Sequence, residues 1–208
     1  FLVPNRFKHG YGLSPEIVKE AKRDKEPDLI ITVDNGISSN EGAELARSLD
    51  IDLIITDHHL PPNELPNANA IINPNLRGCD FPSKNLAGVG VCFYLFSSLK
   101  TYLTKQGYFE KNNIQNPDLR TLLDLVALGT VADVVKLDQN NRILVNEGIK
   151  RIREKRCSKG ILAILELTKR PVDSLQASDL GFTVAPRINA AGRLSDISQG
   201  IRCLLSED

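Results

Sequence analysis

Five side chains in this sequence form a candidate site for a hard divalent cation: Asp34, Asp57, His58, His59 and Asp133. Carboxylate oxygens suit Mg²⁺ and Mn²⁺, and an imidazole shifts the preference toward Mn²⁺ or another transition metal. Each acid also has a plainer reading. Asp34 opens Asp34-Asn35-Gly36, a common turn sequence, and Asp57 equally suits a helix or turn cap. The adjacent histidines are harder to dismiss, because the whole chain holds only 3 His. Arg6, Arg187 and Arg193 lie in glycine-rich segments without periodicity. Planar guanidinium groups grip phosphate with two hydrogen bonds, although any one of the three also reads as an ordinary surface arginine.

The elements that must position these groups can be read from the apolar pattern. Leu29–Val33 and Asp52–Thr56 are short runs rich in Ile and Val that stop abruptly at Asp34 and Asp57. Such runs read as buried strands. The segment 38–49 between them reads as a helix, so the strands should be parallel and the fold α/β. In open α/β sheets the ligand crevice lies beyond the carboxyl ends of the strands, where both polar clusters sit. A third short strand, Ala70–Ile72, ends at Asn73-Pro74-Asn75.

Ser14-Pro15-Glu16 is a helix start, with Ser14 as N-cap and a stop before Pro27. Further helices are expected near 86–103, 117–128, 141–155 and 159–168. The fold expected is a parallel β-sheet flanked by helices, with a largely helical C-terminal part. Residues 1–155 should form the core domain and 156–208 a helical segment leading onward. Phe1-Leu2-Val3-Pro4 reads as a strand end, Asn5–Gly12 as a loop, and 181–193 as neither strand nor helix. In Leu86-Ala87-Gly88-Val89-Gly90 the small residues allow close backbone approach to a neighbour or a ligand. Tyr11 is a candidate stacking residue as well as a structural loop aromatic.

With 41% hydrophobic and 25% charged residues the composition is that of an ordinary globular protein. No apolar stretch approaches the roughly 20 residues of a membrane span. Cys79, Cys92, Cys157 and Cys203 are scattered and form no Cys-x-x-Cys pair, which points to reduced thiols and a cytoplasmic setting. The 26 basic and 26 acidic residues balance, which disfavours binding nucleic acid by bulk charge. A local basic run does exist between Arg142 and Lys159. It reads first as a solvated helix face, and second as a phosphate track.

Taken in order, seven segments resemble the DHH phosphoesterase superfamily and, within it, the RecJ single-stranded-DNA exonucleases. They are Val3–Gly12, Thr32–Ser38, Thr56-Asp57-His58-His59, Ile72–Asn75, Leu86–Val91, Leu125–Asp133 and Ala185–Arg193. The resemblance implies hydrolysis of single-stranded DNA from its 5′ end to mononucleotides, in DNA repair and recombination, with Mn²⁺ or Mg²⁺ and two ions in the complete enzyme. It implies Asp34, His58 and Asp133 as metal ligands, His59 facing the scissile phosphate and Asp57 orienting a histidine. Arg6, Arg187, Asn189 and Arg193 would face DNA phosphates. Single-stranded DNA is the implied partner, with repair or single-strand-binding proteins as further candidates and no membrane. Two features of the family are not found in this sequence: an Asp-x-Asp-x-Asp-Gly segment, expected before Phe1, and a second substrate-binding domain, expected after Asp208. The chain is therefore expected to be an internal fragment, inactive or weak alone. The alternatives are a phosphodiesterase for short oligonucleotides or cyclic dinucleotides, and a scaffold of the same fold that binds nucleic acid without catalysis.

Overall fold

A computed structural model describes residues 1–4, 9–194 and 198–207, and the side chains of all of these except 191–194. The chain divides into two compact units, residues 1–92 and 93–208. The expected boundary near residue 155 falls inside the second unit.

The first unit is the α/β part. Helix α1 (Pro15–Lys25) begins where Ser14 Oγ accepts the Ile17 amide, 3.4 Å away, and ends on Glu26 in a left-handed conformation before Pro27. Strands β1 (Leu29–Val33), β2 (Asp52–Thr56) and β3 (Ala70–Ile72) form a parallel sheet in that order, with Val33 opposite Thr56 and Thr56 opposite Ile72. All three occupy the residues expected from their apolar runs, but β1 is not the buried strand expected: it lies at the edge of the sheet, with Leu29, Ile31 and Val33 exposed. Between β1 and β2 lies α2 (Asn40–Ser48). The core of this unit joins Val18, Ala43, Ala46, Leu53 and Ile55, all essentially inaccessible to solvent. A methyl group on Gly42 would stand 1.9 Å from the Leu13 carbonyl oxygen, so only glycine lets α2 lie this close to the segment after Gly12. The Leu13 amide donates to Ser39 Oγ at 3.1 Å, which ties that segment to the loop leading into α2.

Helix α3 (Gly88–Lys105) opens in the first unit and continues into the second. The second unit is helical: α4 (Leu123–Ala132), α5 (Gln139–Arg153), α6 (Lys159–Leu167), α7 (Ala185–Leu194) and α8 (Ser198–Leu205). Its core includes Ala127, Ile152, Ile161, Leu165, Leu180 and Val184.

Three further expectations need correction. Residues 1–4 are not in a strand. Helix α4 does not stop at Leu128 but runs through Gly129 to Ala132, because its buried positions continue to Thr130. The segment 181–193 is helical. A π-helical turn (Leu180–Val184) leads directly into α7. Pro186 cannot donate to a carbonyl one turn back, and the widened turn before it accommodates that loss. Gly181, Pro186 and Gly192 disguised a helix whose inward face is supplied by Leu180, Val184 and Ala185.

Candidate metal centre

The site is built at the carboxyl ends of β1 and β2. The sheet ladder ends where the Asp34 amide donates to the Thr56 carbonyl (3.0 Å) and the Asp57 amide to the Ile72 carbonyl (3.1 Å). Asp34 itself takes a left-handed backbone conformation (φ 67°), which aspartate tolerates better than most residues. Thr56 Oγ1 reaches across to the Thr32 carbonyl at 2.6 Å, and Thr32 Oγ1 reaches ahead to the Asn35 carbonyl at 2.7 Å. Both strand ends are thus held by hydroxyls as well as by the ladder.

Asp57 is the buried organiser, with its side chain 1% exposed. One carboxylate oxygen accepts the amides of His58 (2.7 Å) and His59 (3.1 Å) and faces His59 Nδ1 at 2.7 Å. The other accepts the Ile37 amide at 2.9 Å, which fastens the loop after Asp34 to the loop after β2. Burial pushes this carboxyl up, but the hydrogen bonds from Ile37, His59 and His58 together outweigh it and hold the group below the usual carboxylate range. With Nδ1 directed at Asp57, His59 presents Nε2 on the far side of a ring that is 47% exposed.

His58 turns the other way. Its Nε2 lies 3.0 Å from Asp34 Oδ1. Asp34, His58 and His59 each offer a ligand atom, and these atoms all lie within 4.8 Å of one another. In an octahedral shell with bonds of about 2.1 Å, neighbouring ligand atoms stand about 3 Å apart, which is the separation of Asp34 Oδ1 from His58 Nε2. Asp34 Oδ1 is moreover a buried oxygen that accepts no well-aligned hydrogen bond among the described residues. Such an acceptor costs about 1–3 kcal/mol unless a donor or cation meets it. The donor set, its spacing and the buried oxygen all fit a small divalent ion.

The expected site residues are distributed as follows. Asp34, Asp57, His58 and His59 converge. Asp133, exposed, closes α4 in the second unit. Arg187 and Asn189 are exposed on α7, where Arg187 Nη1 donates to the Thr183 carbonyl at 2.8 Å. Arg6 and the side chain of Arg193 lie outside the described residues. Part of the basic run serves the fold: Arg153 donates twice to the Leu175 carbonyl (2.9 and 2.6 Å), Arg142 Nε donates to the Leu137 carbonyl (2.7 Å), and Arg156 pairs with Glu154.

Residues 1–130 match the DHH family, N-terminal domain. The chain belongs to the DHH family. Within it, the chain is 61% identical over all of its 208 residues to the single-stranded-DNA-specific exonuclease RecJ of Escherichia coli (strain K12), and spans 36% of that protein. It is 39% identical to the corresponding protein of Bacillus subtilis (strain 168), again over its whole length and over 24% of the relative. Among solved structures, exonuclease RecJ bound to manganese superimposes on all of this DHH chain and on 49% of its own, with TM-score 0.78 and 34% identity. RecJ from Thermus thermophilus in complex with Mn²⁺ covers 93% of this chain and 27% of its own, with TM-score 0.72 and 32% identity. No helix among the described residues is long and apolar enough to cross a membrane.

Three contributors to the site were not assigned from the sequence. Gly88 opens α3 against the Asp34 side chain, so the close approach its size suggested is to a candidate ligand. Asn73 and Asn75 bond the backbone of the two histidines. The available signal was position: polar residues directly after a strand share the carboxyl edge with the other loops.

Proposed function

We propose that the full-length protein is a Mn²⁺- or Mg²⁺-dependent exonuclease that hydrolyses single-stranded DNA from its 5′ end to 5′-mononucleotides, in DNA repair and recombination. The convergence of Asp34, His58 and His59 at the carboxyl edge of the sheet carries the reading. Identity of 61% to a single-stranded-DNA-specific exonuclease supports single-stranded DNA as the substrate. The free cysteines accord with a cytoplasmic enzyme.

Asp34 and His58 would hold the cation, and Asp133 joins the ligand set on the strength of its motif. When bound, such an ion lowers the pKa of water and offsets charge on the phosphate oxygens. Asp57 keeps His59 in one orientation and one tautomer, with Nε2 turned toward the crevice to meet a phosphate oxygen or a water. Arg6, Arg187, Asn189 and Arg193 are assigned to phosphates of the strand, whose recognition needs backbone contacts rather than base readout.

The test is a length series of 5′-labelled oligodeoxynucleotides with the full-length protein and Mn²⁺. Release of labelled mononucleotide from long single strands, with duplexes spared, is the result expected. Activity confined to dinucleotides and other short or cyclic substrates would replace this reading with that of a small-substrate phosphodiesterase. Binding without turnover would make the protein a scaffold.

A further inference from the structure

The backbone of the His58-His59 pair lies beyond the end of the sheet, where ladder hydrogen bonds no longer hold it. Strand β3 cannot extend the ladder, because the second residue after it is Pro74, which has no amide hydrogen. The Asn73 side chain takes over. Its Nδ2 donates to the His59 carbonyl at 2.9 Å, and its Oδ1 accepts the Asn75 amide at 2.8 Å, an Asx-type turn that aims the second asparagine. Asn75 Nδ2 in turn donates to the His58 carbonyl at 2.5 Å. Lys84 Nζ donates to the Pro74 carbonyl at 2.7 Å, which anchors the turn from its other side.

All four backbone polar groups of the two histidines are therefore bonded by side chains. Asp57 takes both amides, and Asn73 and Asn75 supply donors to both carbonyls. Fixing N–H and C=O at consecutive residues fixes both peptide planes, and with them the directions of the two Cα–Cβ bonds. Asn73 is buried, whereas Asn75 is partly exposed, so burial alone does not account for an asparagine at both places.

We infer that Asn73 and Asn75 are positioning residues that set the separation of the two imidazoles from Asp34 by holding the carbonyls of His58 and His59. This rests on the metal-site reading given above. Both asparagines bond the backbone of the histidines and would act on the cation only through them. Loss of partners behind a metal ligand typically costs about 10–100-fold in affinity or activity.

The experiment measures Mn²⁺ binding to the full-length protein by electron paramagnetic resonance of free Mn²⁺, together with thermal unfolding in chelator. Asn75→Ala and Asn73→Asp are compared with Asn69→Ala. Asn69 is a loop carboxamide at the opposite end of β2, bonded to the Leu53 amide and to Asp52. Asn75→Ala is expected to weaken Mn²⁺ binding about 10–100-fold and to lower kcat more than it raises KM. Asn69→Ala should bind Mn²⁺ like the wild type at an equal or larger loss of thermal stability. If Asn73→Asp fails to fold, the partly exposed Asn75 carries the test. Wild-type affinity in Asn75→Ala, or an equal loss of affinity in Asn69→Ala, would overturn the inference. Failure of the wild type itself to bind Mn²⁺ would overturn the metal-site reading and this inference with it.

Discussion

The Asp34 carboxylate packs against Gly88 so closely that a methyl group on Gly88 would stand 2.4 Å from Asp34 Oδ1. Real Cβ atoms essentially never make such a contact, and the atoms it would meet are Asp34 Cβ and Cγ together with the candidate metal-binding oxygen itself. Gly88→Ala is expected to displace the carboxylate and weaken Mn²⁺ binding at least about tenfold. Alanine is the better helix former by about 1 kcal/mol, so helix propensity does not predict the loss. Mn²⁺ titration of the variant and the wild type checks this, and equal affinities would refute it.

Asp57→Asn tests the organiser. The substitution preserves shape but exchanges an acceptor for a donor, so an NH₂ group must face either the Ile37 amide or the cluster formed by the His58 and His59 amides and His59 Nδ1. Hydrogen bonds to a buried carboxylate contribute about 1.5–3 kcal/mol each. Urea unfolding should show a loss of about 2 kcal/mol or more, with nuclease activity falling as His59 loses its fixed orientation. An unchanged midpoint would show that the carboxylate's charge is not needed to join the two loops.

Gly42→Ala probes how α2 supports the loop that follows Asp34. Its methyl would collide with the Leu13 carbonyl, a backbone atom that cannot swing aside. Overpacking of this kind costs about 1–3 kcal/mol. A thermal melt should fall by several degrees, whereas an unaltered melt would mean that α2 slides without penalty.

Cys157 supplies a pH prediction in the second unit. Burial, and after it the nearby Asp124 carboxylate, pushes this thiol from 9.0 up to about 11. The folded chain therefore keeps its proton where the unfolded chain has lost it. The stability linked to Cys157 is complete below about pH 9 and declines as pH rises toward 11. Cys157→Ser should flatten that decline in unfolding free energy. In native protein at about pH 8, just below the ordinary thiol range, Cys157 should react with a thiol reagent far more slowly than a peptide thiol does, and equally fast labelling would contradict the assignment.

Much of this protein was legible without coordinates. The Ile- and Val-rich runs before Asp34 and Asp57 specify parallel strands, because two neighbouring strands joined through a helix run in the same direction, and strand polarity then places Asp34, Asp57, His58 and His59 on one edge. Ser14 and Pro15 set the start of α1 through local bonding alone. The helix at 185–194 was illegible because glycine and proline lowered its local propensity while packing of Leu180 and Val184 stabilised it. What only the tertiary structure decided is how residues distant in sequence share the work at the site. Asp57 binds Ile37, Asn73 and Asn75 bind the carbonyls of His59 and His58, and Gly88 yields its space to Asp34. Those pairings follow from strand register and helix packing, and a linear pattern carries neither.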